Sequence, residues 1–344
     1  MNTSFDPDAA ARAGSGIYGL PHGVDESRVV VLPVPFAATT SYGGGAQEGP
    51  AAVLSASRQV DLFDVETGRA YAQGIAMAPE PDEVRAWDRE ARALAEKVIA
   101  VGGDVGDDPE LLSALARVNA LCDLLNEHVY EATRALLARG KLVALVGGDH
   151  AVPFGCIRAH AERYPGMGVL HLDAHADLRV AYEGFTWSHA SIMANVIDRV
   201  PGVAKLVQVG VRDLSNEEHA RIEGSAGRVV TFFDAGLHAR RFEGTPWGRT
   251  VEAIVGELPR DVYLSFDIDG LDPTLCPHTG TPVPGGLSFQ ECAYLVGAVA
   301  RSGRRIVGMD LVEVVPGPEG DEWDGNVAAR LLYKMIGFAL RTWP

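Results

Sequence analysis

An alternation of two kinds of segment constrains this chain's fold more than any other feature. Short apolar runs rich in Val, Ile and Leu lie at 28–34, 141–146, 168–172, 205–209, 228–232, 262–266 and 305–309. Each has the length and apolarity of a strand buried on both faces. Between them fall amphipathic, helix-length segments at 50–57, 82–101, 109–138, 153–164, 189–200, 216–223, 248–257, 288–301 and 325–340. In the segment 109–138, Leu111, Leu115, Val118, Leu121, Leu125, Val129, Ala132 and Leu136 form a stripe at helical spacing. Pro109 suits its first turn and Gly140 its stop. Strand–helix–strand alternation is met by a mostly parallel sheet with helices on both faces, so a three-layer α/β/α fold is expected. No Pro/Gly/Ser-rich linker and no internal repeat divides the 344 residues. One domain over 1–344 is expected, with 1–25 as an N-terminal extension.

In such sheets ligands bind beyond the carboxyl ends of the strands. Three predicted strand ends carry clustered Asp and His. They are Gly147-Gly148-Asp149-His150, Asp173-Ala174-His175-Ala176-Asp177 and Asp267-Ile268-Asp269-Gly270-Leu271-Asp272-Pro273. On an extended chain, residues at i, i+2 and i+4 face one side. Asp173, His175 and Asp177 can therefore converge, and so can Asp267 with Asp269. Any one of these motifs alone could serve as a turn or a helix cap. Together they bring carboxylates close enough to repel one another unless a cation intervenes. Carboxylates with a few imidazoles and no thiolate suit a hard or borderline divalent ion, manganese first. Six ligands exceed what one catalytic ion with open positions takes. They fit two ions about 3.5–4 Å apart, which would supply hydroxide near neutral pH.

Composition narrows the class. Lys and Arg number 30 against 46 Asp and Glu, a net charge of −16. That balance argues against nucleic acid or an anionic membrane as partner. It reads either as solubility or as a preference for cationic ligands. The four cysteines, at 122, 156, 276 and 292, have no metal-type or redox-type spacing. They are expected to be reduced thiols of a cytoplasmic protein. No apolar run approaches the ~18 residues of a membrane span, and the first 21 residues lack the pattern of a secretory signal.

The motifs GGDH, DAHAD and SFDIDGLDP, in this order, resemble those of the ureohydrolase family of arginases, agmatinases and formiminoglutamases. Three further segments resemble the same family: Ser41-Tyr42-Gly43-Gly44-Gly45 with Gly49-Pro50, Thr281-Pro282-Val283-Pro284-Gly285-Gly286, and Met309-Asp310-Leu311-Val312-Glu313-Val314. The region from about 60 to 140 is less telling. The resemblance implies an arginase-like fold and two Mn2+ ions, with Ni2+ as the alternative. By position it implies that His150 ligates one ion and His175 the other, while Asp173 and Asp267 bridge. Asp177 would bind the first ion and accept a hydrogen bond from the bridging hydroxide, and Asp269 would bind the second. Glu313 would sit under the substrate guanidinium, which a carboxylate matches through paired hydrogen bonds. His189, in Trp187-Ser188-His189-Ala190-Ser191, would help move protons. Asp149, Ser265, Asp272 and His171 read as supports or turn residues. The implied reaction is attack of hydroxide on a guanidino or formimino carbon, giving urea and an amine from a guanidino substrate. The family forms trimers and hexamers. A homo-oligomer is thus expected, with the last helix packed either between subunits or into its own core.

Substrate identity is less constrained. Residues 178–187 depart from the arginase pattern, which argues against arginine. Arg179 continues the second motif as DAHADLR. It could anchor a substrate carboxylate and favour a guanidino acid over agmatine, or it could pair with Glu183 or face solvent. Phe185 and Trp187 could instead close a small pocket over free guanidine, as a nickel-dependent guanidine hydrolase would need. A deacetylase of the histone-deacetylase type shares the sheet plan but binds one zinc, whereas His150 and the Asp267–Asp269 pair argue for two ions. A catalytically inactive scaffold is the non-enzyme alternative, although all six ligand positions are filled.

Overall fold

All seven apolar runs become strands in the computed structural model, which describes residues 5–12 and 14–343. An eighth strand is added, and every pairing is parallel. The strands are β1 (Val29–Val34), β2 (Ile75–Met77), β3 (Leu142–Gly147), β4 (Met167–Leu172), β5 (Val203–Val209), β6 (Val229–Phe232), β7 (Asp261–Asp267) and β8 (Arg305–Val312). They stand in the order β2-β1-β3-β8-β7-β4-β5-β6. Ten α-helices accompany them among the described residues: α1 (Gly49–Ser57), α2 (Asp82–Ile99), α3 (Pro109–Ala138), α4 (Phe154–Arg163), α5 (Ile192–Arg199), α6 (Asn216–Gly224), α7 (Asp234–Phe242), α8 (Trp247–Glu257), α9 (Phe289–Arg301) and α10 (Trp323–Arg341).

The sheet separates two apolar cores, which makes the three layers. Helices α1, α8, α9 and α10 pack on one face, and α2, α3, α4 and α5 on the other. The long helix α3 starts as its sequence predicts, with Pro109 in the first turn and Asp108 accepting from the amides of Glu110 and Leu111. The last helix buries Val327, Leu331, Leu332, Met335, Ile336 and Phe338 within its own chain. Residues 1–4 and 13 of the expected extension lie outside the described residues. Ile17, Tyr18 and Leu20 are buried, and the Tyr18 hydroxyl donates to the Ala329 carbonyl of α10 at 3.0 Å.

Several expectations need correction. β2 has only three residues at a sheet edge, too short for its pattern to show. α7 buries only Asp234 and Leu237, so it lacks an apolar stripe. The predicted segment 189–200 opens with a 3₁₀ turn, His189–Ser191, capped by Ser188, and α5 proper starts at Ile192. Nor are all strands buried on both faces. Ala204 of β5 is exposed and most of the edge strand β6 is half-buried.

The strand order positions the site. The four strands that carry the motifs, β3, β8, β7 and β4, are consecutive at the centre of the sheet. β4 and β7 are neighbours, so the second and third motifs emerge side by side. β8 separates β3 from β7 and brings Glu313 up between them.

Candidate metal centre

Close backbone approach builds the first corner of the site. A β-carbon on Gly148 would stand 1.7 Å from the Phe36 carbonyl oxygen, so only glycine lets the turn after β3 lie against the end of β1. His150 stands two residues further on. Asp173 leaves β4, and the next four residues loop back until Asp177 adopts a left-handed backbone, φ 53°. That conformation is rare outside glycine. It is held by the amides of Met193 and Ala194, each donating to the Asp177 carbonyl at 3.0 Å. These are otherwise unpaired amides of the first turn of α5. Asp267 ends β7, and Asp269 sits in the single 3₁₀ turn Ile268–Gly270. The Asp269 amide donates to Asp267 Oδ1 at 2.9 Å, and the Ala174 amide donates to Asp269 Oδ1 at 3.0 Å, tying the two loops together.

All six predicted ligand residues are thereby brought into one cluster, buried except for the half-buried His175. His150 Nδ1 lies 2.9 Å from Asp173 Oδ2, 3.1 Å from Asp177 Oδ2 and 3.3 Å from Asp267 Oδ2. His175 Nδ1 lies 3.0 Å from Asp269 Oδ2 and 3.5 Å from Asp173 Oδ1. Burial drives the carboxyls of Asp177 and Asp267 upward, and neighbouring carboxylates add to it; Asp177 reaches about 7. Burial opposes charge on His150 and His175, but the surrounding carboxylates outweigh it and push His175 up to about 12.

These residues fit divalent cations. An imidazole nitrogen carries at most one proton. His150 Nδ1 can therefore satisfy one of the three carboxylate oxygens around it, which leaves buried negative charge unmet. Asp269 Oδ2 is buried with no hydrogen bond, although His175 Nδ1 is close by. Buried, unpaired carboxylate oxygens beside misaligned imidazoles are what a cation resolves. Two sets of ligand atoms each lie within 4.8 Å of one another: His150, His171, Asp173 and Asp177, and separately Asp173, His175 and Asp269. Asp173 belongs to both sets. His171 is already engaged, with its Nε2 2.8 Å from Asp173 Oδ2 and its Nδ1 facing Gln208.

Glu313 also has a left-handed backbone, φ 60°, and is buried. Its Oε1 accepts the His150 amide at 2.9 Å, while its carbonyl accepts the Thr279 hydroxyl at 2.9 Å. A β-carbon on Gly280 would stand 3.8 Å from Glu313 Oε2, so that glycine leaves space in front of the carboxylate. His189 is half-buried, with Nδ1 3.4 Å from Ser188 Oγ and its ring edge-on to Tyr182. Burial, then His175 and His150, lowers its pKa to about 4. Arg179 is engaged with residues other than the six candidate ligands. Its Nε is 3.7 Å from Glu218 Oε2 and its guanidinium lies over the Tyr182 ring, so its partner is Glu218 and not Glu183. Asp272 makes a turn, accepting from the amide and hydroxyl of Thr274. Asp149 accepts from the Ala151 amide. Sequence patterning does not single out Gln208, Thr231 or Asp88, whose Oδ1 accepts the Ala37 amide at 2.8 Å. The one available signal is Gln208, an amide inside an otherwise apolar strand.

Fold and site together define a parallel α/β/α protein with a buried cluster of carboxylates and imidazoles fit to hold divalent cations. The sequence profile described as Arginase family matches residues 27–337, and the chain belongs to the arginase family. It is 37% identical over 314 residues to an N(1)-aminopropylagmatine ureohydrolase of Thermus thermophilus, a match covering 91% of this chain and 90% of that one. It is 33% identical over 308 residues to the agmatinase of Sodalis glossinidius, covering 89% and 85%. The agmatine ureohydrolase of Thermoplasma volcanium superposes with a TM-score of 0.73 at 22% identity over 96% of each chain, a likeness of fold. Within the family the chain is agmatinase-like, a ureohydrolase acting on C–N bonds.

Proposed function

We propose that the chain is a binuclear-metal amidinohydrolase that splits a guanidino compound with an aliphatic amine tail into urea and an amine. The observation that carries this reading is the buried meeting of His150, Asp173, Asp177 and Asp267 around one imidazole nitrogen. One cation would be held by His150, Asp173, Asp177 and Asp267, and a second by His175, Asp173, Asp267 and Asp269. Four carboxylates and two imidazoles favour Mn2+, with Ni2+ as the competitor. Such ions, when bound, supply ionised water near neutral pH.

The remaining work falls to the chain's own side chains. Glu313 Oε2 pairs with the planar guanidinium and orients its central carbon. Asp177 accepts a hydrogen bond from the attacking water and takes up its proton at a carboxylate oxygen. That proton then passes from Asp177 to the leaving amine, with the neutral His189 ring as a relay that accepts at one nitrogen as it donates from the other. Arg179 already has Glu218 as its partner, which favours an amine tail over a carboxylate tail. The names of the relatives agree with that preference. The same reading carries the expectation of a cytoplasmic homo-oligomer, trimer or hexamer, to be checked by sedimentation. It is consistent with four buried, unpaired cysteines and with no helix long and apolar enough to cross a membrane among the described residues.

The deciding experiment assays urea release from agmatine, aminopropylagmatine, an ω-guanidino acid and free guanidine, and formamide release from formiminoglutamate. It is run separately with Mn2+ and Ni2+. Urea from the amine-tailed compounds is expected. No product from any compound, with metal occupancy confirmed, overturns the reading. Release from the guanidino acid that is lost in Arg179→Ala would reassign the tail to a carboxylate.

A further inference from the structure

One transverse row of the sheet is polar across five strands. The register aligns Asp310 of β8 with Ser265 of β7, Ser265 with His171 of β4, His171 with Gln208 of β5, and Gln208 with Thr231 of β6. On β3 the row continues as Leu145. Asp310, Ser265, His171 and Gln208 are fully buried. A polar layer inside an apolar sheet costs stability unless its groups are hydrogen-bonded, and apolar residues would fill the same space. The row lies just below the ligand cluster. Asp173 follows His171 by two residues and Asp267 follows Ser265 by two, so each ligand points to the same side as the row residue beneath it.

Hydrogen bonds link the row to the cluster with a fixed direction. The Ala176 carbonyl can only accept, so the Gln208 atom 2.7 Å from it is Nε2. Gln208 Oε1 then accepts the Thr231 hydroxyl at 2.9 Å. Gln208 Nε2 also donates to His171 Nδ1 at 3.0 Å. The His171 proton must therefore sit on Nε2, which donates to Asp173 Oδ2 at 2.8 Å. On the other side, Asp310 Oδ1 accepts the Ser265 hydroxyl at 3.0 Å and the Phe266 amide at 3.2 Å. With its proton given to Asp310, Ser265 Oγ accepts from His150 Nε2 at 3.0 Å. His150 Nδ1 is left as the atom that faces Asp173, Asp177 and Asp267.

We propose that this row positions the metal ligands. Thr231, Gln208 and His171 set the orientation of Asp173, while Asp310 and Ser265 set which nitrogen of His150 is offered to a cation. Gln208 also pins the loop at Ala176, between His175 and Asp177. These five are positioning residues, because none touches substrate. The proposal rests on the metal-centre reading above, and its test separates the two.

Metal-stripped full-length protein is titrated with Mn2+ by calorimetry, and the imidazole nitrogens of the stripped protein are read by 15N NMR. His171→Phe, Gln208→Leu and Ser265→Ala are expected to weaken Mn2+ binding ~10–100-fold. His171→Gln keeps a donor near the Nε2 position and should restore binding to within several-fold of the parent. The parent protein should show His171 protonated on Nε2, and Gln208→Leu should lose that preference. Parent-like Mn2+ affinity in both His171→Phe and Gln208→Leu, or a His171 proton on Nδ1, overturns the proposal. If His171→Phe does not fold, Gln208→Leu and the parent spectrum decide it. A parent protein that binds no Mn2+ or Ni2+ sinks the metal centre itself and the row's role with it.

Discussion

At Gly148 a β-carbon would overlap the Phe36 carbonyl oxygen, and the residue two positions on is His150. Because the obstacle is backbone, it cannot swing aside as a side chain would. Gly148→Ala should cost about 3 kcal/mol or more and displace His150, as urea unfolding and Mn2+ titration would show. Unchanged stability would mean that the two strand ends are not in contact. Glu313 makes a prediction of a different kind. Glu313→Gln keeps the acceptor for the His150 amide but removes the charge opposite a guanidinium. A charge-assisted pair is worth about 1.5–3 kcal/mol, so kcat/KM should fall ~10–100-fold while cation stoichiometry holds. An equal loss of bound metal would instead make Glu313 part of the metal support. His160 lies away from this chemistry, its Nδ1 bonded to the Cys156 carbonyl and its ring against Gly308. Burial lowers its pKa to about 4. Unfolded histidine takes up a proton near pH 6.5 whereas the folded one does not until about 4. Stability is therefore full above about 6.5 and falls as pH drops toward 4, by on the order of 3 kcal/mol. His160→Phe should flatten that part of the acid-stability curve, and an unaltered slope would refute the assignment. The clustering of Asp173, His175 and Asp177 is legible in the sequence because it is local, five residues at one strand end. Gln208 is not, because a single buried amide acquires meaning only from its neighbours on other strands.

At the level of elements, α2 does more than cover the sheet. Its Asp88 accepts the Ala37 amide at 2.8 Å, and its Arg92 donates to the Thr40 carbonyl at 2.6 Å. Both anchor the glycine-rich segment after β1, and Gly43 of that segment packs against Gly280 beside Glu313. Asp88→Ala leaves the buried Ala37 amide without its acceptor, at a cost of about 1–3 kcal/mol. KM should rise more than kcat falls, since the wall of the substrate space loosens while the ligands stay in place. Steady-state kinetics with thermal unfolding checks this, and an unchanged KM would release α2 from any role at the site. The helix itself is legible in the sequence as the amphipathic segment 82–101, but that region has no motif to tie it to the site. β2 and α7 are not legible at all, because short or half-exposed elements lack the periodicity that reveals longer ones.

At the level of the whole molecule, the cluster is a cost that the fold carries and cations relieve. Asp173, Asp177, Asp267 and Asp269 are all buried. Cations that bind the folded chain alone stabilise it, by about 2.7 kcal/mol at a hundredfold excess over Kd. Chelation should therefore lower Tm by several degrees and Mn2+ should restore it. A Tm indifferent to metal would mean that the carboxylates are neutralised by protons alone. The sequence by itself determined the alternation of segments, hence a parallel three-layer fold, and placed the acidic and imidazole groups at strand ends. Both follow from short-range patterning, which each segment carries independently of the rest. Only the tertiary structure decided that β8 enters between β3 and β7, which sets Glu313 against the amide of His150 from 163 residues away. The polar row beneath the ligands was decided in the same way. Strand order and register are settled by how all the helices pack on both faces at once, and no single segment encodes that.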